Sequence, residues 1–344
     1  MAYVLPLSGP GANNEADGFT TAIANFALRA MHESDGLVNM TNVVTPTQGN
    51  EFLVPTFQAI TYQDYNPGGS GGSAGYGNAN IQNPSLGQNS ITATPAVATT
   101  AFDVFYSWTT SFQLAATLGG ELGESFAEKV DQRVTKAFLS FKATAGNTME
   151  PVSADGFYRV AALGAMELIP SGATATTATA GFTSNTVTAM VRNIKQNFKV
   201  ARMPGSPVIV IDSNGDDGVI GSTLNRLLSE LTGGAVSQEG GSNLSALGNE
   251  LLSSGKIENI YGCAVMSTTF LPTATRTVAG DAGTDVLVGA YFGDSALFTV
   301  IKEGLQIKTG EAPQGLQQWL TGLGYFGAGV GDGRRGGAIN IVQG

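Results

Sequence analysis

"NPGGSGGSAGYGNANIQNPSLGQNS" (66–90) carries no Lys, Arg, Asp or Glu, and the stretches on either side, "EFLVPTFQAITYQ" (51–63) and "TAFDVFYSWTTSFQLA" (100–115), alternate aromatic and β-branched residues with polar ones. Such alternation reads as strand, and a Gly/Asn/Pro-rich run between two strands reads as a hairpin tip. The neutral zone is wider than the tip. From Phe52 to Gly120 the only charges are Asp64 and Asp103, and no Lys or Arg lies between Arg29 and Lys129. An isolated hairpin is marginal in water, so this one needs a surface to lie against. Ordering the tip costs ~1–2 kcal/mol per residue in backbone entropy. Its largest apolar side chains are Tyr76, Ile81 and Leu86, too few to offset that cost. The tip is therefore expected to be disordered in a free subunit and to order only across a neighbour. Asn66, Tyr76, Ile81 and Leu86 are its candidate intersubunit residues.

Outward from the hairpin, the first fifteen residues read as a loose arm. "ADGFTTAIANFALRAMHESDG" (16–36) reads as a short helix capped by Asp17, with Phe19, Ile23, Phe26, Ala27 and Ala30 on one side. On the other flank Leu122, Phe126, Val130, Val134, Phe138 and Phe141 form a continuous apolar stripe. They predict a helix over 121–142, about 33 Å of rod. Lys129, Arg133 and Lys136 form a second, basic stripe interleaved with Glu124, Glu128 and Asp131.

From about 150 to 290 strand and helix signals alternate. "TVTAMVRNIKQNFKVA" (186–201) places Val187, Met190, Val191, Ile194 and Phe198 on one face, with Arg192, Lys195, Lys199 and Arg202 on the opposite one. "SPVIVID" (206–212) is a buried strand. "VIGSTLNRLLSEL" (219–231) and "NLSALGNELLSS" (243–254) are helices. "KIENIYGCAVMSTTF" (256–270) reads as one strand leading to Leu271 and Pro272. "DVLVGAYFGDSALFTVIKEGLQIKT" (285–309) reads as two strands around a turn at Gly293 and Asp294, and a Gly-rich β tail follows.

Composition narrows the function. Charged residues are 13% of the 344, against roughly 25% in an ordinary soluble domain. A net charge of −10 argues against a general nucleic-acid binder, whose footprint is basic. One histidine, His32, and one cysteine, Cys263, argue against a structural zinc site and allow no internal disulfide. A Ser–His–Asp triad would have to recruit His32. The start lacks a signal-peptide pattern, and apolar runs such as "VIVI" (208–211) are far below the ~18 residues of a spanning helix. The expected compartment is cytoplasm-like, without a membrane.

Three motifs invite a catalytic or ligand reading, and context argues against each. "GLGYFG" (322–327) fits a dinucleotide fingerprint but has no helix after it to receive a pyrophosphate. "GGSGG" (68–72) matches a nucleophile elbow but lies in a hairpin tip without a histidine base. "DSNGDDGVIGST" (212–223) resembles a calcium loop, yet Asp217 stands where Gly is required and Thr223 where a bidentate Glu belongs. Catalytic residues, metal and cofactors are expected to be none. The basic face of 186–202 reads as a solvated helix face or as the partner of an acidic neighbour, and the acidity of the whole chain favours the second. Arg334 and Arg335 are candidate tail anchors. His32 reads as a helix C-terminal residue and Cys263 as a buried small hydrophobe.

The order of parts (arm, long neutral hairpin, long amphipathic helix, α/β region, β tail) resembles that of the major capsid proteins of tailed bacteriophages. Local matches are "GNEFLVPTF" (49–57), "PGSPVIVIDSNGDDGVIGSTL" (204–224), "KIENIYGCAVMSTTFLP" (256–272) and "VGAYFGDSALFTVIKEGLQIKT" (288–309). The resemblance implies an α+β Johnson-type capsid fold. Its parts would be an N-terminal arm (1–50), an extended E-loop hairpin with flanking strands of the peripheral (P) domain (51–115), a P-domain spine helix (116–149), an α/β axial (A) domain (150–290), and returning strands with a tail (291–344). It implies a subunit that assembles with itself as hexamers and pentamers, in the host cytoplasm, into the virion capsid. Scaffolding protein and portal would be partners, with a cement protein as an optional third, and packaged DNA would touch the inner face weakly and non-specifically. An encapsulin-like compartment shell is the alternative within the same fold. A phage or cell-surface binding protein is the alternative outside it.

Overall fold

The computed structural model describes residues 25, 27, 36–46, 49–57, 86–103, 112–143, 149–152, 157–160, 166–168, 182–184, 186–200, 203–213, 223–231, 256–271, 286–311 and 317–341. In chain order the elements are β1 (Asn42–Val44), β2 (Glu51–Phe57), β3 (Leu86–Thr92), β4 (Thr94–Asp103), α1 (Phe112–Ala137), β5 (Met149–Val152), β6 (Phe157–Val160), β7 (Met166–Leu168), β8 (Phe182–Ser184), α2 (Val187–Val200), β9 (Val208–Asp212), α3 (Thr223–Leu231), β10 (Lys256–Ile260), β11 (Cys263–Thr268), β12 (Val286–Phe292), β13 (Leu297–Glu311), β14 (Gln317–Val330) and β15 (Gly336–Ile341). A 3-10 turn, Leu37–Met40, precedes β1, and another, Phe138–Ala143, continues α1.

Two sheets organise these elements. One has four strands in the order β1-β13-β14-β4, with β13, β14 and β4 antiparallel. The 15 residues of β13 and the 14 of β14 make it a blade about 50 Å long. The other has seven strands in the order β10-β11-β9-β12-β15-β7-β8 and is mixed. After β13 and β14 have run along the blade, β15 returns to the seven-stranded sheet beside β12.

The two faces of the seven-stranded sheet build separate cores. On one, Val187, Met190, Val191, Ile194 and Phe198 of α2 and Leu227 of α3 close over Ile209, Ile211, Tyr291 and Ile339. On the other, Val134, Phe138 and Phe141 meet Val210, Leu287, Ala290 and Phe292. β12 serves both faces by alternation, with Val288 and Tyr291 on one and Leu287 and Ala290 on the other, and a register shift between Leu287 and Gly289 offsets the alternation by one residue. The apolar stripe of α1 thus divides. Its far end lies under the seven-stranded sheet. Its middle lies on the blade, where the Phe126 ring meets Phe326 edge-on at 5.1 Å. A Cβ on Gly324 would overlap the Phe126 ring, so glycine there lets the helix approach the strand.

Four expectations need correction. The partner of β2 is 86–92, with Glu51 opposite Thr92 and Phe57 opposite Leu86, and not the 100–115 stretch. Residues 94–103 pair instead with β14. The long helix begins at Phe112, so 112–115 is helix and not strand. The 256–270 stretch is two strands, β10 and β11, joined by a tight turn at Tyr261 and Gly262, both with positive φ (52° and 78°). The arm, most of the 16–36 helix, residues 66–85 of the hairpin tip and the 243–254 helix lie outside the described residues, while the tip's last five residues, 86–90, are strand and not tip.

Candidate functional site

The basic ridge of α2 is built from within. With Val187, Met190, Val191, Ile194 and Phe198 buried, the helical period turns Arg192, Lys195 and Lys199 outward. Arg192 and Lys199 are exposed, and Lys195 is half-buried with its Nζ donating to Ser206 Oγ at 2.7 Å. The helix start is held by its neighbour. The Glu230 carboxylate of α3 accepts from the amides of Val187 (2.8 Å) and Thr188 (2.7 Å) and from Thr188 Oγ1 (2.7 Å). Arg226 stands 3.6 Å from the same carboxylate. A negative group at a helix N-terminus satisfies free amides and favours the dipole. The ridge is therefore presented on a fixed rod.

Of the other sequence-predicted residues, Leu86 opens β3 opposite Phe57. It lies on a different element from the ridge. Asn66, Tyr76, Ile81 and Arg202 lie outside the described residues. Cys263 is buried, and burial pushes its thiol above the usual range against the opposing pull of Lys195. "GLGYFG" lies inside β14, and Arg335 forms an ion pair with Asp332 at 3.4 Å. Among the described residues no group of three or more His, Cys, Asp or Glu could hold a metal ion, and no helix is long and apolar enough to cross a membrane.

The second surface is the open side of the blade, and the sequence reading did not single it out. Its edge strand β4 has no charge before Asp103, and Val97 on it is 62% exposed. Trp319 on β14, opposite Ala101, is also exposed. A long, neutral, outward edge is what a soluble monomer blunts. The signal was the run "TPAVATTAF" (94–102), of which only the end, from Thr100, had a strand reading, as part of a hairpin leg.

The basic stripe read on α1 is divided too. Lys129 and Lys136 are exposed. Arg133 turns inward, with its guanidinium 4.2 Å from the Phe326 ring centre and donating to the Phe326, Thr94 (2.8 Å) and Pro95 (3.3 Å) carbonyls. It ties helix, β14 and edge strand together. Asp131, read as part of the interleaved acidic stripe, is buried. Burial raises its carboxyl to about 6, while hydrogen bonds from the Leu37 and Val38 backbone act to lower it.

No family model matches this sequence, and no curated protein matches it. Solved structures do. The capsid of the cyanophage P-SCSP1u is similar with a TM-score of 0.58 at 14% identity, over 89% of this chain and 87% of that one. The capsid of an empty GTA particle has a TM-score of 0.54 at 11% identity, over 100% and 95%. A virus-like particle from Pyrococcus furiosus has a TM-score of 0.50 at 10% identity, over 93% and 98%. Likeness at these identities is likeness of fold, and over nearly its whole length this chain has the fold of phage capsid subunits.

Proposed function

We propose that the protein is a structural shell subunit, the major capsid protein of a tailed phage, which assembles with itself around double-stranded DNA. The observation that carries this reading is end-to-end likeness: the described capsid structures align with 89–100% of the chain, not with one common motif. In this reading α1 is the spine helix and the blade its P-domain sheet. The β2–β3 ladder is the stem of the E-loop, and the seven-stranded sheet with α2 and α3 is the A domain (150–290), to which β15 of the returning segment (291–344) adds a strand. Hexamers and pentamers of the subunit tile the shell. A portal and a scaffolding protein complete it, with a cement protein as an optional third, and assembly takes place in the host cytoplasm. No catalytic residue is assigned.

The physics of the surface supports this role. Burying neutral surface against copies of itself drives association, and each charge kept out of an interface core avoids a desolvation cost. A net charge of −10 keeps the wall from binding phosphate strongly. Arg192, Lys195, Lys199 and Arg202 are assigned to an acidic neighbour, and Asn66, Tyr76, Ile81 and Leu86 to contacts across subunits. Negative-stain microscopy of the purified protein tests the reading: closed shells are expected, and monomers or fibres would overturn it. The likeness to the virus-like particle favours one second reading, a compartment shell without a genome. Nuclease-protected DNA in native particles selects the capsid, and enclosed protein selects the compartment.

A further inference from the structure

The outer surface of α1 carries Glu121, Glu124 and Glu128, all exposed, at steps of three and four residues. The outer surface of α2 carries Arg192, Lys195 and Lys199 at the same steps of three and four, with Arg192 and Lys199 exposed. On a helix this spacing gathers three side chains into one ridge about 10 Å long. The ridges thus match in length and step and are opposite in sign. Each stands on a helix fixed from behind, α1 by Val130, Val134 and Phe138 and α2 by Met190, Ile194 and Phe198. Other charges near the acidic ridge are few. Lys129 is turned aside, donating to Gln132 at 3.1 Å, and Gln132 in turn donates to Glu128.

We infer that the two ridges dock on each other between copies, the Arg192–Lys195–Lys199 ridge of one subunit lying along the Glu121–Glu124–Glu128 ridge of the next. This rests on the shell reading and names the acidic neighbour in it. The pairing is heterologous: each copy offers one ridge forward and one back, and such contacts close into rings when the rotation permits. Exposed ion pairs contribute little affinity singly, so the ridges act mainly on register and on choice of partner. Two subunits of net charge −10 repel at long range, and the ridge pair supplies a place where approach is attractive.

Charge reversal on one ridge and then on both tests this, with particle yield measured by sedimentation at about 50 mM salt, where screening is weak. Arg192→Glu with Lys199→Glu is expected to cut particle yield at least ten-fold, and so is Glu121→Lys with Glu128→Lys. All four changes in one chain keep the central Lys195–Glu124 pair, restore complementarity on either side of it, and are expected to bring the yield back to within three-fold of wild type. As a geometric readout, Lys195→Cys with Glu124→Cys is expected to give a disulfide ladder on a non-reducing gel of assembled particles, since the native Cys263 is buried. If a reversed chain fails to fold by circular dichroism, the Arg192→Ala, Lys199→Ala pair replaces it, with a loss of at least three-fold expected. Single-ridge variants that assemble like wild type, a combined four-substitution variant as poor as either parent, or no ladder would overturn the pairing while wild-type shells leave the shell reading standing. A wild-type protein that forms no particles would overturn both.

Discussion

Asp131 is a carboxylate on the inner side of a long helix, 6% exposed, with Oδ1 lacking a partner. Burial raises its pKa to about 6, against an ordinary value of 3.8. A folded-state pKa above the unfolded one means that the folded chain binds the proton more tightly, so this group's contribution to stability rises as pH falls from about 6 to about 4. Its charged form is the destabilising one. Asp131→Asn is therefore expected to melt above wild type at pH 7.5, and the gap should narrow as pH falls below about 6 and nearly close by about pH 4. A difference in Tm that stays constant between those values would count against the assignment. Tyr261 makes a second residue-scale case. Its φ of 52°, followed by Gly262 at 78°, fits a two-residue turn that favours Asn–Gly. Tyr261 is 53% exposed, so little packing is lost on replacing it. Tyr261→Asn is expected to stabilise by up to about 1 kcal/mol in chemical denaturation.

At the scale of elements, legibility followed how strongly tertiary contact overrode local preference. The stripes of α1 and α2 were plain in sequence because their buried residues recur at helical steps: Val130, Val134, Phe138 and Phe141 in one, Val187, Met190, Val191, Ile194 and Phe198 in the other. The start of α1 was not. Gly119 and Gly120 weaken helix propensity, and the aromatic run before them mimics a strand. Gly123 has a packing reason of its own: a Cβ there would run into the Ala27 backbone, so this glycine admits a neighbouring segment, whereas a Cβ on Gly120 would meet open space. β3 escaped notice, its first five residues being read as part of the hairpin tip, because "LGQNSIT" exposes Gln88, Asn89, Ser90 and Thr92 and buries only Ile91 among these, a pattern that reads as turn. The β10–β11 turn was hidden because Tyr stands where Asn or Asp usually signals it. Within the ridge, spacing predicted that Arg192, Lys195 and Lys199 share a face. Arg133 has the same periodic warrant yet turns inward, because its stem and guanidinium find the Phe326 ring and three carbonyls that no local pattern encodes. Phe138 tests the element most directly. It is fully buried, 6.0 Å from the Phe292 ring, where α1 meets the seven-stranded sheet. Phe138→Ala is expected to cost ~3–5 kcal/mol. Unchanged denaturation and assembly would show that the stripe does not hold the sheet.

For the whole molecule, the distribution of lysine bears on how a shell would be held together. Some tailed-phage capsid proteins cross-link their subunits through a lysine in the E-loop. In this chain Lys129 is the first lysine, and it lies on α1, well past the β2–β3 ladder. The neutral zone leaves no side-chain amine anywhere in 1–128, so an isopeptide bond from the hairpin has no nucleophile. Strength would then have to come from buried neutral surface, a non-directional force that grows with area. The blade offers such surface along β4, where Val97 and its neutral neighbours face outward. Mature particles are accordingly expected to dissolve into single chains of 35.3 kDa on a denaturing, reducing gel. Cohesion by buried apolar area also weakens on cooling, so particles should lose integrity at low temperature sooner than a covalently linked shell would. High-mass ladders that survive boiling in detergent and reductant would sink the non-covalent shell and point to an amine elsewhere in the fold, beyond Lys129, as the linking group.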